Sequence, residues 1–288
     1  MARSLTVLVT GSTGSQGGSV ARLLLWKGHR VRALTRDPGK PAARELADRG
    51  AELIRGDLED RASIERAAAG VDAVFSVATP FQAGTEAETR QGIHTADAAI
   101  AAGAHLVYSS VANADRDTGI PHFDSKFRVE QHIRRRGGDA TIVAPAYFME
   151  NLSFIRQPLR DGTYASPLPP DRKLAQIAVS DIAAVSVAVL EDRARHAGKR
   201  YDLAGDELTG AESMEIISRV TGRKLSYFRT PLEMVRGTMG EDGVKMYQWF
   251  ESTGYTTDPD QLRRVFPEVP WLSFEAWARS EDWAWLDA

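Results

Sequence analysis

Short apolar runs rich in β-branched residues recur along the first half of the chain, and each is followed by a stretch whose apolar positions return at helical spacing. LTVLVT leads into SVARLLLWKG, RVRALT into ARELADRG, AELIRGD into ASIERAAAG, DAVFSVAT into a longer helix through TADAAIAAG, and HLVYSS into SKFRVEQHIRRRG, before ATIVAPA closes the series. Strict alternation of strand and helix predicts a parallel sheet with right-handed crossovers and helices on both faces. Strands in this pattern predict the spatial order 3-2-1-4-5-6 of a doubly wound α/β fold. Gly28, Gly50, Gly70, Gly103 and Gly137 each follow a helical run, where the left-handed position after a helix favours glycine, so they mark helix ends.

After Ala146 the rhythm breaks. Residues 152–174 contain Pro158, Pro167, Pro169 and Pro170 and read as irregular backbone. A helix is predicted near Ser180 to Asp192, and a strand near Arg200 to Leu203 that returns to the main sheet. From Leu208 onward the pattern is mostly helical and carries Trp249, Trp271, Trp277, Trp283 and Trp285, expected as core or pocket wall rather than as a stacking platform. The expected division is residues 1–151, with 175–205 returning to them, as a Rossmann-type domain, and 152–174 with 206–288 as a smaller, mostly helical substrate or partner region.

Directly after the first strand comes GSTGSQG, with Gly11, Gly14 and Gly17 in GxxGxxG spacing, and then an amphipathic helix carrying Val20, Leu23 and Leu24. The first glycine permits a tight turn, the second lets backbone approach a pyrophosphate, and the third packs helix against strand, with helix N-terminal amides aimed at the phosphates. At the end of the second strand, where an NAD site places an acid on the ribose, stands Arg36. A guanidinium there stacks on adenine and forks onto a 2′-phosphate, which favours NADP(H); a solvated surface arginine is the plain alternative. The next residue, Asp37, could meet a ribose, but before Pro38 it reads better as a helix N-cap with proline at the first helical position.

The composition adds exclusions. The 288 residues carry 36 basic and 39 acidic side chains, a net charge of −3, which leaves no basic excess for binding nucleic acid directly or for holding an anionic membrane. The chain has 0 cysteines, which removes disulfides, thiolate metal sites and cysteine nucleophiles. His29, His94, His105, His132 and His196 are scattered without metal-ligand spacing, so no metal is expected. No nucleophile-elbow motif surrounds Ser125. The opening apolar run ends at Val9, too short for a leader or a membrane span, and a cytoplasmic protein is expected.

The segments TGSTGSQGGSVARLLL, ALTRDP, GAELIRGDLED, HLVYSSVANA, HFDSKFRVEQHIR, PAYFMENL and AVSDIA, spread over residues 9–183, resemble the NmrA-like family of atypical short-chain dehydrogenase/reductases, in particular its HSCARG-type members. The resemblance implies that Gly11, Thr13, Gly14, Ser15, Gln16 and Gly17 cradle the pyrophosphate and that Arg36 takes the 2′-phosphate. It further implies Asp57 beside the adenine, Thr79 ending the fourth strand under the cofactor, Lys126 at the nicotinamide ribose, and Tyr147 and Phe148 near the nicotinamide end. Active short-chain dehydrogenases place a tyrosine one turn before the lysine; here that position holds His122, with Ser109 and Ser110 available for the usual serine role. An imidazole can pass a proton, while a structural or ribose-contact role for His122 is the alternative, and the helix start expected near residue 122 bears on which applies.

Two functions stay open at this point. One is a specialised NADPH-dependent oxidoreductase acting on a small hydrophobic quinone, carbonyl or imine, with His122 and Lys126 as candidate catalytic residues. The other is a non-catalytic NADP(H) sensor that acts on a regulated protein partner. A homodimer is compatible with both.

Overall fold

The structure is a computed structural model that describes residues 3–287. Its first half follows the predicted alternation: β1 (Thr6–Val9), α1 (Ser15–Trp26), β2 (Arg30–Thr35), α2 (Pro41–Asp48), β3 (Glu52–Arg55), α3 (Arg61–Ala68), β4 (Ala73–Ser76), α4 (Gly84–Ala101), β5 (His105–Ser109), α5 (Pro121–Arg136) and β6 (Ala140–Pro145). The later elements are β7 (Tyr147–Phe148), α6 (Arg156–Arg160), β8 (Thr163–Ser166), β9 (Lys173–Ile177), α7 (Val179–Glu191), α8 (Arg193–His196), β10 (Arg200–Leu203), β11 (Asp206–Thr209), α9 (Gly210–Thr221), β12 (Ser226–Arg229), α10 (Leu232–Ser252), α11 (Pro259–Val265) and α12 (Phe274–Ser280).

Among the described residues, the central sheet has seven strands in the order β10-β6-β5-β4-β1-β2-β3, which bears out the predicted 3-2-1-4-5-6 order and adds β10 at the edge. The ladders are parallel, with Val7 opposite both Val31 and Ala73. At the edge, Ile142 N donates to Lys199 O and Ala146 N to Leu203 O, each at 2.9 Å, so β6 and β10 advance in the same sense. Alternate strand residues bury both faces, as a parallel sheet requires. Leu8, Leu34, Val74, Leu106 and Ile142 join Ile64, Ala96, Ala99, Val129 and Ile133 of α3, α4 and α5 in one core. Val7, Val9, Val31, Ala33, Phe75, Val107 and Val143, the residues between them, are also buried.

Contacts divide the chain into two units: residues up to Asp117, Pro121–Ala144 and Ile182–Tyr201 form the first, and Thr118–Ile120, Pro145–Asp181 and the chain from Asp202 form the second. The second has its own core of Met149, Leu152, Leu159, Tyr164, Ile217, Leu225, Phe274, Trp277 and Leu286, with Trp283 and Trp285 packed on it. It holds a sheet in the order β11-β9-β7, antiparallel between β9 and β11 and parallel between β7 and β9, and a parallel β8–β12 pair.

The expectation of irregular backbone over 152–174 is corrected here, since the segment contains α6, β8 and the start of β9. Its prolines were misleading because they sit where they do no harm. Pro158 lies in the first turn of α6, where an N–H has no helical partner, and Pro167, Pro169 and Pro170 fill the link between β8 and β9. Three helix starts in this unit are capped by side chains: Thr209 and Glu212 form a reciprocal capping box on α9, and Asp258 and Ser273 cap α11 and α12.

Candidate functional site

The loop between β1 and α1 lies at the carboxyl end of the central strands, where open α/β sheets bind their ligands. Gly11 turns the chain with φ +58°, a left-handed conformation that a side chain resists. Gly17 is sterically required, because a Cβ there would stand 2.5 Å from Thr10 O and would also strike Gly11 O. Gly14 precedes α1 in extended backbone (φ −98°, ψ −178°), and no side chain caps the helix. The first-turn amides of Ser15, Gln16 and Gly17 therefore keep their donors for a ligand at the positive end of the helix dipole.

Hydroxyls beneath the loop stitch the strand ends together. The Thr10 hydroxyl donates to Val77 O (3.0 Å) and accepts from Val77 N (2.9 Å), and Ser12 Oγ donates to Leu34 O (2.9 Å). Ser109, at the end of β5, donates through Oγ to Gln16 Oε1 at 2.7 Å, linking β5 to the first turn of α1. Thr13 on the loop and Ser15 at the start of α1 are exposed.

Lys126 on α5 is drawn into this same region. Its ammonium lies 3.1 Å from Ala78 O, 3.5 Å from Ser109 O and 3.0 Å from Glu88 Oε1, the last as an ion pair off the axis of a hydrogen bond. The other Glu88 oxygen accepts from Ser125 Oγ. Beside them Tyr108 is wholly buried; burial, with Glu88 and Glu130 nearby, pushes its phenol well up, so the hydroxyl keeps its proton. Ser110 donates to the buried Glu130, which also takes Arg200 Nε at 3.0 Å. Ser110 is thus engaged with α5.

Arg36 is exposed at the end of β2 and donates to Gln82 Oε1 at 2.7 Å. The N-cap reading of Asp37 is corrected: α2 begins at Pro41 with Lys40 before it, and Asp37 instead accepts from Gly39 N at 2.9 Å in a local turn. Lys40 stands before a proline, which forces it out of helical backbone and delays the helix. Thr79 also differs from expectation, because β4 closes at Ser76 and Thr79 lies exposed in the loop beyond it. Asp57 follows β3 and folds its carboxylate onto Glu59 N at 3.0 Å.

His122 is in the first turn of α5, one turn before Lys126, since the helix starts at Pro121. Its ring stands edge-on to Phe123 with centroids 4.8 Å apart. Tyr147 and Phe148 form β7 in the second unit, where the Tyr147 hydroxyl is 3.4 Å from that of Tyr247. The first unit thus gathers Gly11 to Gly17, Ser109 and Lys126, and places Arg36 with Gln82. Among the described residues no cluster of His, Asp and Glu is arranged to hold a metal.

A sequence model of the NmrA-like family matches residues 3–278. The chain belongs to the NmrA-like family. An NAD(P)H azoreductase of Xenophilus azovorans is 32% identical over 268 residues, covering 92% of this chain and 91% of its own length. A triphenylmethane reductase of Citrobacter sp., solved with NADP(H), superposes with a TM-score of 0.80 at 22% identity, covering 95% of this chain and 98% of the reductase. NmrA, a negative transcriptional regulator solved with NADP, superposes with a TM-score of 0.78 at 24% identity, covering 96% of this chain and 95% of NmrA. Both superpositions bear on the fold, which the NmrA-like chain shares along nearly its whole length.

Two residues of this NmrA-like site escape sequence reading. Glu88 lies in TEAETR, a polar stretch that reads as a solvated helix face, yet it is wholly buried against Lys126. Gln82 lies in a loop, and nothing local marks it as the partner of Arg36.

Proposed function

We propose that this NmrA-like protein binds NADP(H), with the pyrophosphate on the Gly11 to Gly17 loop and the 2′-phosphate on Arg36, and uses it to reduce a small hydrophobic quinone, carbonyl or imine. The observation that carries the reading is the uncapped start of α1 behind Gly14, joined to an exposed arginine where an NAD site has an acid. The azoreductase relative and the NADP(H) complex of the triphenylmethane reductase support it.

Bound cofactor supplies the hydride; the chain binds, orients and handles the proton. Lys126 presents a cation at the strand ends, suited to ribose hydroxyls, and Asp57 and Thr79, on the loops after β3 and β4, would meet the adenine and the underside of the bound cofactor. His122 occupies the place of the usual phenol and is the proton donor in this reading, with water as substitute. A quinone suits such a site because it stabilises its own developing charge, which lessens the demand for a strong acid.

One observation favours a second reading, a non-catalytic NADP(H) sensor acting on a protein partner. Ser109 Oγ is given to Gln16, and the Lys126 ammonium faces Glu88, Ala78 O and Ser109 O, so groups of the usual proton relay are engaged internally. NmrA itself shares the fold.

Calorimetry with NADPH and NADH tests the cofactor. Wild type is expected to prefer NADPH, and Arg36→Glu to lose about 10- to 100-fold in NADPH affinity while sparing NADH, the scale of a charge-assisted phosphate contact. Equal affinities in the wild type overturn the assignment. NADPH oxidation across quinones, carbonyls, imines, azo dyes and triphenylmethane dyes then separates the two functions. For a reductase, His122→Ala costs about 10²–10⁴-fold in turnover with cofactor affinity kept; for a sensor, no compound in the panel oxidises NADPH.

A further inference from the structure

Lys126 has three N–H donors on a flexible four-carbon stem, and such an ammonium points at a ligand only if something fixes it. The structure supplies the fixing group from a neighbouring helix. Glu88 on α4 is 0% exposed, and its carboxylate spans two consecutive residues of α5, with Oε1 3.0 Å from Lys126 Nζ and Oε2 accepting from Ser125 Oγ. A carboxylate so buried persists only when paired, so Glu88 is committed to α5. The other acceptors of Lys126 are unequal: Ala78 O is 3.1 Å away, and Ser109 O is at 3.5 Å. The longest contact is the weakest, and it lies at the carboxyl end of β5, beside the Ser109 hydroxyl that reaches Gln16 on the phosphate loop.

We propose that Glu88 is a positioning residue for the cofactor: it anchors the Lys126 ammonium against Ala78 O, so that the donor now resting on Ser109 O is the one given to a hydroxyl of the nicotinamide ribose. This rests on the NADP(H) reading above. Glu88 touches no ligand and acts only through Lys126.

The test measures affinity for NADPH and for 2′,5′-ADP, which carries the adenine and 2′-phosphate but no nicotinamide ribose. Wild type, Glu88→Gln, Lys126→Met and the double variant are compared by calorimetry. Glu88→Gln, nearly isosteric, is expected to weaken NADPH about 10-fold or more, the scale of a hydrogen bond to a charged group, and to leave 2′,5′-ADP unchanged. In the Lys126→Met background the same substitution is expected to add nothing. Unchanged NADPH affinity in Glu88→Gln overturns the proposal. So does a parallel loss of both ligands, which marks a purely structural ion pair, and so does a full Glu88 effect that persists without Lys126. Failure of wild type to bind either ligand instead overturns the cofactor reading, and the inference falls with it.

Discussion

The two units solve the burial of polar groups differently. In the first, parallel ladders satisfy the backbone, and hydroxyls close to the strand ends finish the work, as Thr10 does for Val77 and Ser12 for Leu34. In the second, carboxylates reach backbone amides far along the chain, a role that Asp72 also plays for Thr6 N in the first. Glu150 accepts from Val179 N, Asp181 from Leu272 N and Asp206 from Phe274 N, each at 2.8 Å. Each unit also buries one titratable group that its surroundings shift strongly, His105 in the first and Asp181 in the second. Burial pushes the Glu150 carboxyl up, and it pushes Asp181 up to about 6 with only the Leu272 amide opposing. Burial, helped by Arg193, instead pushes His105 down to about 4.

The largest expected effect lies in the first unit. Gly17→Val drives a side chain into the carbonyls of Thr10 and Gly11, and a loss of about 3 kcal/mol or more in urea unfolding is expected. Gly14→Val is the control: a Cβ there meets only Gly11 O, at 3.3 Å, so the fold should survive while NADPH binding is lost. Equal stability of the two variants would remove the distinction between a packing glycine and a ligand glycine.

The pH response comes next. His105 is lowered from 6.5 to about 4, so its contribution to the first unit is complete above 6.5 and is lost as pH falls through 4. Asp181 is raised from 3.8 to about 6, so its contribution to the second unit is present below 3.8 and is lost as pH rises through 6. Each group carries roughly 3 kcal/mol at ~1.4 kcal/mol per decade. Hydrogen exchange followed between these limits should therefore show opposite slopes for amides near His105 and near Leu272, and His105→Gln should flatten the first. Slopes of one sign in both units would show that His105 and Asp181 do not respond oppositely to pH.

The smallest effects are expected where neither unit buries anything. Trp26 and Phe154 are 82% and 83% exposed, one in each unit, and Trp26→Ser and Phe154→Ser should each change stability by less than about 0.5 kcal/mol. A larger change in thermal or urea unfolding would show a contact that exposure alone conceals.

Much of the first unit was legible because its signals are local. Hydrophobic period separates strands from helices, and Gly28, Gly50, Gly70, Gly103 and Gly137 all take positive φ where the sequence puts helix ends. The loop glycines were legible for the same reason, since Gly11 and Gly17 answer to turn geometry and to the strand they follow. Asp37 reads as an N-cap because two prolines compete to start α2, and only the backbone of Lys40 shows that Pro41 does so. In the second unit, β8 pairs with β12 and β9 with β11 across long loops and helices, and those partners leave no periodic trace.

The strand order, the glycines that close helices, the glycine loop after β1 and the arginine after β2 can all be read from the chain alone, because each follows from the spacing of apolar residues or from chemistry within a few positions. Only the tertiary structure decided that Glu88 is buried on Lys126, that Gln82 holds Arg36, and that Glu150 and Asp181 bond distant amides. The identity of a charge is written in the chain, but its burial and its partner depend on which segments the fold brings within a few ångströms. Its energy changes from near zero in water to several kcal/mol out of it.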